Sequence, residues 1–289
     1  MDSPVWLVIR GLCRGLHLAG YFGAFGTALF GAVLGQGQLK GLRRLAWGGF
    51  VVALLGGAGW FWLQSADFAG AGDPATVLAA LPLVAGYTRF GWLTLARMGL
   101  LLLALLCAQG RRWRLAAGLA GIGVLAQSWL GHGAAMGGPG GEVLLVSSLV
   151  HLAGAAAWLG TLPALALGLC TSLEPFALAR RYSRLGMGCV AALLATAVLQ
   201  YLLLIGKISA FFTTGYGAAA LVKLVLFAGL LGLAARNRYR LTPALPASRG
   251  MLLRAIAIEA ALGLLVLLAA GVLMQLPPPA MASMAGMGE

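Results

Sequence analysis

Apolar residues run through this chain in long blocks, separated by short stretches of basic and helix-breaking residues. The blocks cover 12–34, 45–63, 89–108, 115–131, 142–169, 185–205, 216–235 and 255–276. Each approaches the ~20 apolar residues that carry a helix across a bilayer. The pattern predicts an all-α, polytopic membrane helical bundle of about eight transmembrane helices over residues 1–276, followed by a Met-rich tail over 277–289. Residues 5–14 read as an amphipathic lead to the first span. The longer connection 64–88 holds Asp67, Asp73, Pro74 and Pro82 and reads as a partly helical surface segment. Glycines and a proline at 137–141 predict a loop between the fourth and fifth spans.

Composition sharpens this picture. Hydrophobic residues make up 61% of the chain and charged residues 9%, with a mean hydropathy of +0.94. An average soluble chain is about 25% charged, and no polar stretch here is long enough for a separate soluble domain. The net charge of +13 would suggest nucleic acid in a soluble protein. Here the cations crowd into the connections at 40–44, 111–114, 180–184 and 236–254. In that setting they set topology and meet anionic lipid head groups, and nucleic acid is not an expected partner. The positive-inside rule puts these connections in the cytoplasm, hence both termini in the periplasm of a bacterial inner membrane. Residues 1–15 lack a compact apolar core followed by a small-residue cleavage site, so no cleavable signal is expected. The cysteines, Cys13, Cys107, Cys170 and Cys189, show neither CxxC nor disulfide spacing.

The chemistry concentrates in residues 127–163, QSWLGHGAAMGGPGGEVLLVSSLVHLAGAAAWLGTLP. His132 and Met136 flank the end of one span and His151 lies on the next. The remaining histidine, His17, falls on the first span, and by the topology above all three occupy the outer half. Imidazole and thioether suit a soft metal such as Cu(I), and ionisable groups in a bilayer are costly enough to mark a site or pathway. His17, His132 and His151 are therefore candidate copper ligands. Cys13, one helical turn before His17, shares its face. Met281, Met284 and Met287 repeat at regular spacing in a polar tail with no core to fill, so they are candidates for metal capture. Arg97 and Lys223 are charged residues within spans and candidate partners of an anionic group such as a haem propionate. The alternative cofactor is thus b-type haem between two imidazoles. Glu259 falls near the inner face. The chain has no nucleotide-binding loop, no Ser–His–Asp arrangement and only seven scattered acidic residues, so hydrolytic metal chemistry and an ATP-driven pump are not expected. A metal-binding or transport protein is expected rather than an enzyme.

The same stretch resembles the CopD family of bacterial copper-resistance membrane proteins. The likeness rests on Gly131-His132-Gly133, then a short loop, then His151 followed by Trp158-Leu159-Gly160. Family members often carry an acid three residues before the second histidine, where this chain has Ser148. The likeness continues through Arg180-Arg181-Tyr182-Ser183-Arg184, Tyr216-Gly217, Lys223, Asn237-Arg238 and Glu259. It covers residues 93–277 well and the first three spans more loosely. The resemblance implies copper binding at the periplasmic face, transport of copper across the membrane, and a periplasmic copper carrier of the CopC type as partner.

Depth along the helices suggests how the histidines divide the work. A short turn makes the fourth and fifth spans antiparallel neighbours, with His132 at the turn and His151 well down the fifth helix. The expectation is that His151 pairs with His17, while His132 and Met136 form an outer loading site. The topology is directly testable. A reporter fused after Glu289 is expected to read as periplasmic and one inserted within 236–254 as cytoplasmic; the opposite pattern would put the Met tail on the wrong side for capture.

Overall fold

The computed structural model describes residues 3–34 and 37–280. Met281, Met284 and Met287 lie outside the described residues. The helices are α1 (Pro4–Val33), α2 (Leu42–Ala69), α3 (Pro74–Tyr87), α4 (Arg89–Gln109), α5 (Trp113–Ala126), α6 (His132–Ala135), α7 (Gly138–Leu159), α8 (Leu162–Thr171), α9 (Pro175–Leu204), α10 (Ala210–Thr213), α11 (Gly215–Arg236) and α12 (Arg249–Leu273). A 3-10 turn, Gln127–Leu130, follows α5, and a π turn, Asn237–Leu241, follows α11. There is no strand among the described residues. Lipid offers the backbone no hydrogen-bond partner, so every crossing is helical. Short polar side chains close several helix starts. Ser3 accepts from Trp6 N, Asp73 from Thr76 N, Thr88 from Gly91 N and Thr214 from Gly217 N.

Seven helical segments among the described residues are long and apolar enough to cross a bilayer, with α7 and α8 counted as one. The eighth crossing is α5. Its 14 residues are short for the task, but with the 3-10 turn it reaches ~29 Å, close to the ~30 Å hydrocarbon thickness. Packing requires this crossing. Gly11 and Gly15 near the start of α1 lie against Val272 and Leu268 near the end of α12, so the first and last described helices begin and finish at one end of the bundle. An even number of crossings follows. The same antiparallel course is seen in α5 and the 3-10 turn after it, which begin with Trp113 against Gly31 at the far end of α1 and finish with Leu130 beside Arg14.

The structure redraws three local features. The loop expected at 137–141 is almost wholly helical, because α7 begins at Gly138 with Pro139 in its first turn. Proline's fixed φ suits that position and its missing N–H loses nothing there. Gly141 is required, since a Cβ would collide with the Met136 carbonyl. The fifth span, expected over 142–169, runs from Gly138 to Thr171 and breaks at Gly160 and Thr161, where Pro163 starts α8. The basic connection expected from residue 236 opens instead with the π turn. The segment 64–88 is α3, as its composition suggested, preceded by the end of α2.

The centre of the bundle is α1, which packs on α2, α12, α5 and α7. Glycines on different sides of α1 allow these approaches. A Cβ on Gly20 would strike the α2 backbone at Ala53, one on Gly15 would lie 2.7 Å from Leu268 Cα, and one on Gly26 would strike the backbone of Gly160. Small residues are how helices associate in lipid, where no hydrophobic force drives them together. Gly26→Val is expected to lower stability by ~1–3 kcal/mol or more through overpacking. Gly118→Ala, which meets nothing within 4 Å, should be neutral or slightly stabilising. Thermal unfolding of the two purified variants checks the contrast.

Candidate metal centre

Each histidine is held differently. On α1 the residues Arg14, His17 and Tyr21 follow helical spacing and share a face. His17 is wholly buried, and its Nδ1 lies 2.8 Å from the Ala53 carbonyl on α2. A carbonyl only accepts, so Nδ1 carries the proton and Nε2 presents a lone pair. That Nε2 has no partner. Gly56 and Gly57 make room for the ring: a Cβ on Gly57 would stand 2.7 Å from Nδ1. The ring also neighbours Tyr21 and Trp60, with centroids 5.9 and 5.7 Å away.

His151 faces the other way, into the α7–α9 contact. Thr196 donates its hydroxyl proton to Ala192 O at 2.7 Å, so at 2.8 Å the His151 Nδ1–H donates to Thr196 Oγ1. The Nε2 lone pair is again left for another partner. Ser147 and Gln200 extend this polar seam. An Nδ1–H fixed by a second group is how proteins orient a metal-ligating imidazole.

His132 opens α6 at the end that carries both termini. Its Nε2 is buried and unpartnered, and its ring stands edge-on to Tyr216 at 5.9 Å. Burial, with a smaller contribution from the Arg14 charge, pushes its pKa down to about 4, so it is a neutral imidazole near pH 7. Met136 caps the same single turn, its N–H bonding His132 O at 3.0 Å. Met136 packs with Leu144, Tyr216 and Leu273. Thus the structure brings His132 and Met136 onto one turn. It does not place His17 and His151 in contact. The two precede the α1–α7 crossing at Gly26 and Gly160 by the same number of residues, but one points to α2 and the other to α9. No group of three or more His, Cys, Asp or Glu suited to a metal occurs among the described residues.

The remaining candidates separate. Arg97 is buried between α1 and α5, its Nε donating to Gly123 O at 2.8 Å, while Lys223 lies on α11. Cys13 Sγ sits against Gly59 of α2, one turn from His17. Glu259 is buried rather than at a helix end in the interface, and accepts from Asn237 Nδ2 at 2.8 Å. It helps line a cavity of about 460 Å³ toward the far end of the bundle, with Trp158, Tyr182 and Arg238. The haem alternative gains no support from that cavity, which no histidine lines. Sequence reasoning missed Met274, whose methyl lies over Gly131, next to His132. Nothing in the sequence separates it from other methionines closing a span. It also missed Thr196 and Gln200, whose one-turn spacing on α9 matches Ser147 and His151 on α7. Replacing Thr196 by Val leaves the His151 Nδ1–H without an acceptor, and is expected to cost ~1–3 kcal/mol, measured as a lower unfolding temperature.

Two family descriptions match the chain. Residues 176–273 match Copper resistance protein D, and residues 2–142 match Copper resistance protein D-like, N-terminal domain. The chain is also similar to the Copper resistance protein D of Pseudomonas syringae pv. tomato, 32% identical over 135 residues, a match spanning 44% of each chain. The chain thus matches less than half the length of that relative. No solved structure matches.

Proposed function

We propose, for a chain that belongs to the copper resistance protein D family, that it binds copper at the end of the bundle carrying both termini and passes it into the membrane. The observation that carries this reading is His132. Its neutral imidazole has a buried, unpartnered Nε2 and lies one turn from Met136. Nitrogen and thioether sulfur together favour Cu(I) over harder ions. His132 and Met136 form the outer loading site, with Met274 close by. His151, its Nδ1 fixed by Thr196, is the deeper ligand. His17 presents the same lone pair but faces two guanidinium groups, whose charges oppose a bare cation.

The remainder of the reading follows from topology. Both termini face the periplasm of a bacterial inner membrane, and the basic connections face the cytoplasm. A periplasmic carrier of the CopC type delivers copper to His132. Met281, Met284 and Met287 capture it when it is scarce, since thioethers bind Cu(I) without losing a proton. Cu(I) titration against a chromogenic chelator tests the assignment. His151→Ala is expected to weaken the tight site at least tenfold, and His132→Ala to slow loading while leaving the final affinity close to that of the parent. If His151→Ala binds as tightly as the parent, His151 is a packing residue.

A further inference from the structure

The copper reading leaves a buried cationic cluster unused. Arg14, His17 and Tyr21 lie on one face of α1, Arg97 on α4, and Gln127 one turn beyond Gly123 at the end of α5. Three bonds hold the helices in register: Tyr21 Oη donates to Arg97 O at 2.8 Å, Arg97 Nε to Gly123 O at 2.8 Å, and Arg14 Nη2 to Leu130 O at 2.9 Å. The Arg97 guanidinium lies 4.9 Å over the Tyr21 ring and that of Arg14 4.8 Å over Trp60. After these contacts, Arg97 Nη1 and Nη2, Arg14 Nε, both side-chain polar atoms of Gln127 and His17 Nε2 remain without a partner. The four residues concerned are at most 5% exposed.

No carboxylate among the described residues reaches either guanidinium. The ion pair found among them joins Arg10 to Asp67, while Asp73 caps α3 and Glu259 bonds Asn237. Two buried cations without a carboxylate partner in the low-dielectric interior are strongly unfavourable. The aromatic faces offset only part of that. The unpartnered atoms are mostly donors, as an anion requires. Space is narrow, because His17 is pressed against Gly56 and Gly57, and the Tyr21 hydroxyl occupies the position a side chain at 123 would take. That closeness favours a small anion over a polyatomic one.

We propose that this cluster binds a small monovalent anion of the halide class, held by the guanidinium N–H groups of Arg97 and Arg14 and the Gln127 amide. The site stands apart from copper. Where the copper reading also holds, on which this step rests, the halide supplies the charge that lets His17 Nε2 face Cu(I). Copper(I) with one halide is neutral and passes two guanidiniums without repulsion.

The test uses the full-length protein in detergent, exchanged into halide-free gluconate buffer. The width of the chloride-35 NMR line is followed as chloride is added, then as bromide competes. The parent is expected to give saturable broadening that bromide reverses. Arg97→Gln should weaken chloride binding at least tenfold, and Gln127→Leu, a neutral change that serves if the arginine variant fails to fold, by severalfold. Absence of saturable broadening in the parent overturns the proposal and leaves a site holding water only. Binding unchanged in either folded variant also overturns it. A Cu(I) titration of the same samples separates the two readings. Copper bound without halide removes only the anion site; halide bound without copper removes only the copper reading.

Discussion

The architecture depends on how closely other backbones approach α1. In lipid an exposed leucine gains nothing by moving against a neighbour, so helices associate through packing and hydrogen bonds. Gly11 and Gly15 admit α12, Gly20 admits α2, and Gly26 admits Gly160 at the break between α7 and α8. A Cβ at Gly20 or Gly26 would collide with backbone, which cannot rotate away as a side chain can. One helix is thereby fixed against several partners, and its register sets theirs. The pairing of the start of α1 with the end of α12 brings both termini to one end, and that in turn makes α5 a crossing despite its length.

The same helix supplies the buried polar face. Because α1 is held at backbone distance from α2, the Ala53 carbonyl reaches His17 Nδ1 and determines which nitrogen keeps its lone pair. Because α5 crosses beside α1, Tyr21 and Arg97 meet at Gly123. On the other side of the bundle Thr196 does for His151 what Ala53 does for His17. His17 and His151 therefore share a chemical state, a proton on Nδ1 and a lone pair on Nε2, while the surroundings of the three imidazoles differ. His132 shares its turn with a thioether, His151 lies in the polar seam of Thr196, and His17 shares its helix face with Arg14.

Much of this was legible in the sequence because composition and period are strong signals in a membrane chain. Seven of the apolar blocks became long spanning helices, and the fourth completed its crossing through a 3-10 turn that apolarity alone does not reveal. Residues 127–163 did contain His132 and Met136 on one turn. The expected pairing of His17 with His151 did not appear, for a physical reason. Depth along a helix can be counted from the sequence, but the direction a face points depends on which neighbour it packs against. The spacing of Arg14, His17 and Tyr21 was visible; that Arg97 would complete the cluster required α4 to pack against α1 and α5. Met274 near His132 likewise follows from the closure of α12 on α1, a contact between opposite ends of the chain. The glycines at 138–141 misled because glycine and proline disfavour helix interiors yet are tolerated in a first turn.

The central claim is that copper is held at the terminal end by imidazole nitrogen and the Met136 sulfur together. X-ray absorption at the copper edge addresses it most directly, on protein carrying one equivalent of Cu(I), with the deeper ligand removed by His151→Ala and Met281, Met284 and Met287 replaced by leucine. The account predicts a mixed shell of nitrogen and sulfur, and loss of its sulfur component when Met136 is also replaced by leucine. A shell of nitrogen and oxygen alone, unchanged by Met136→Leu, would contradict it.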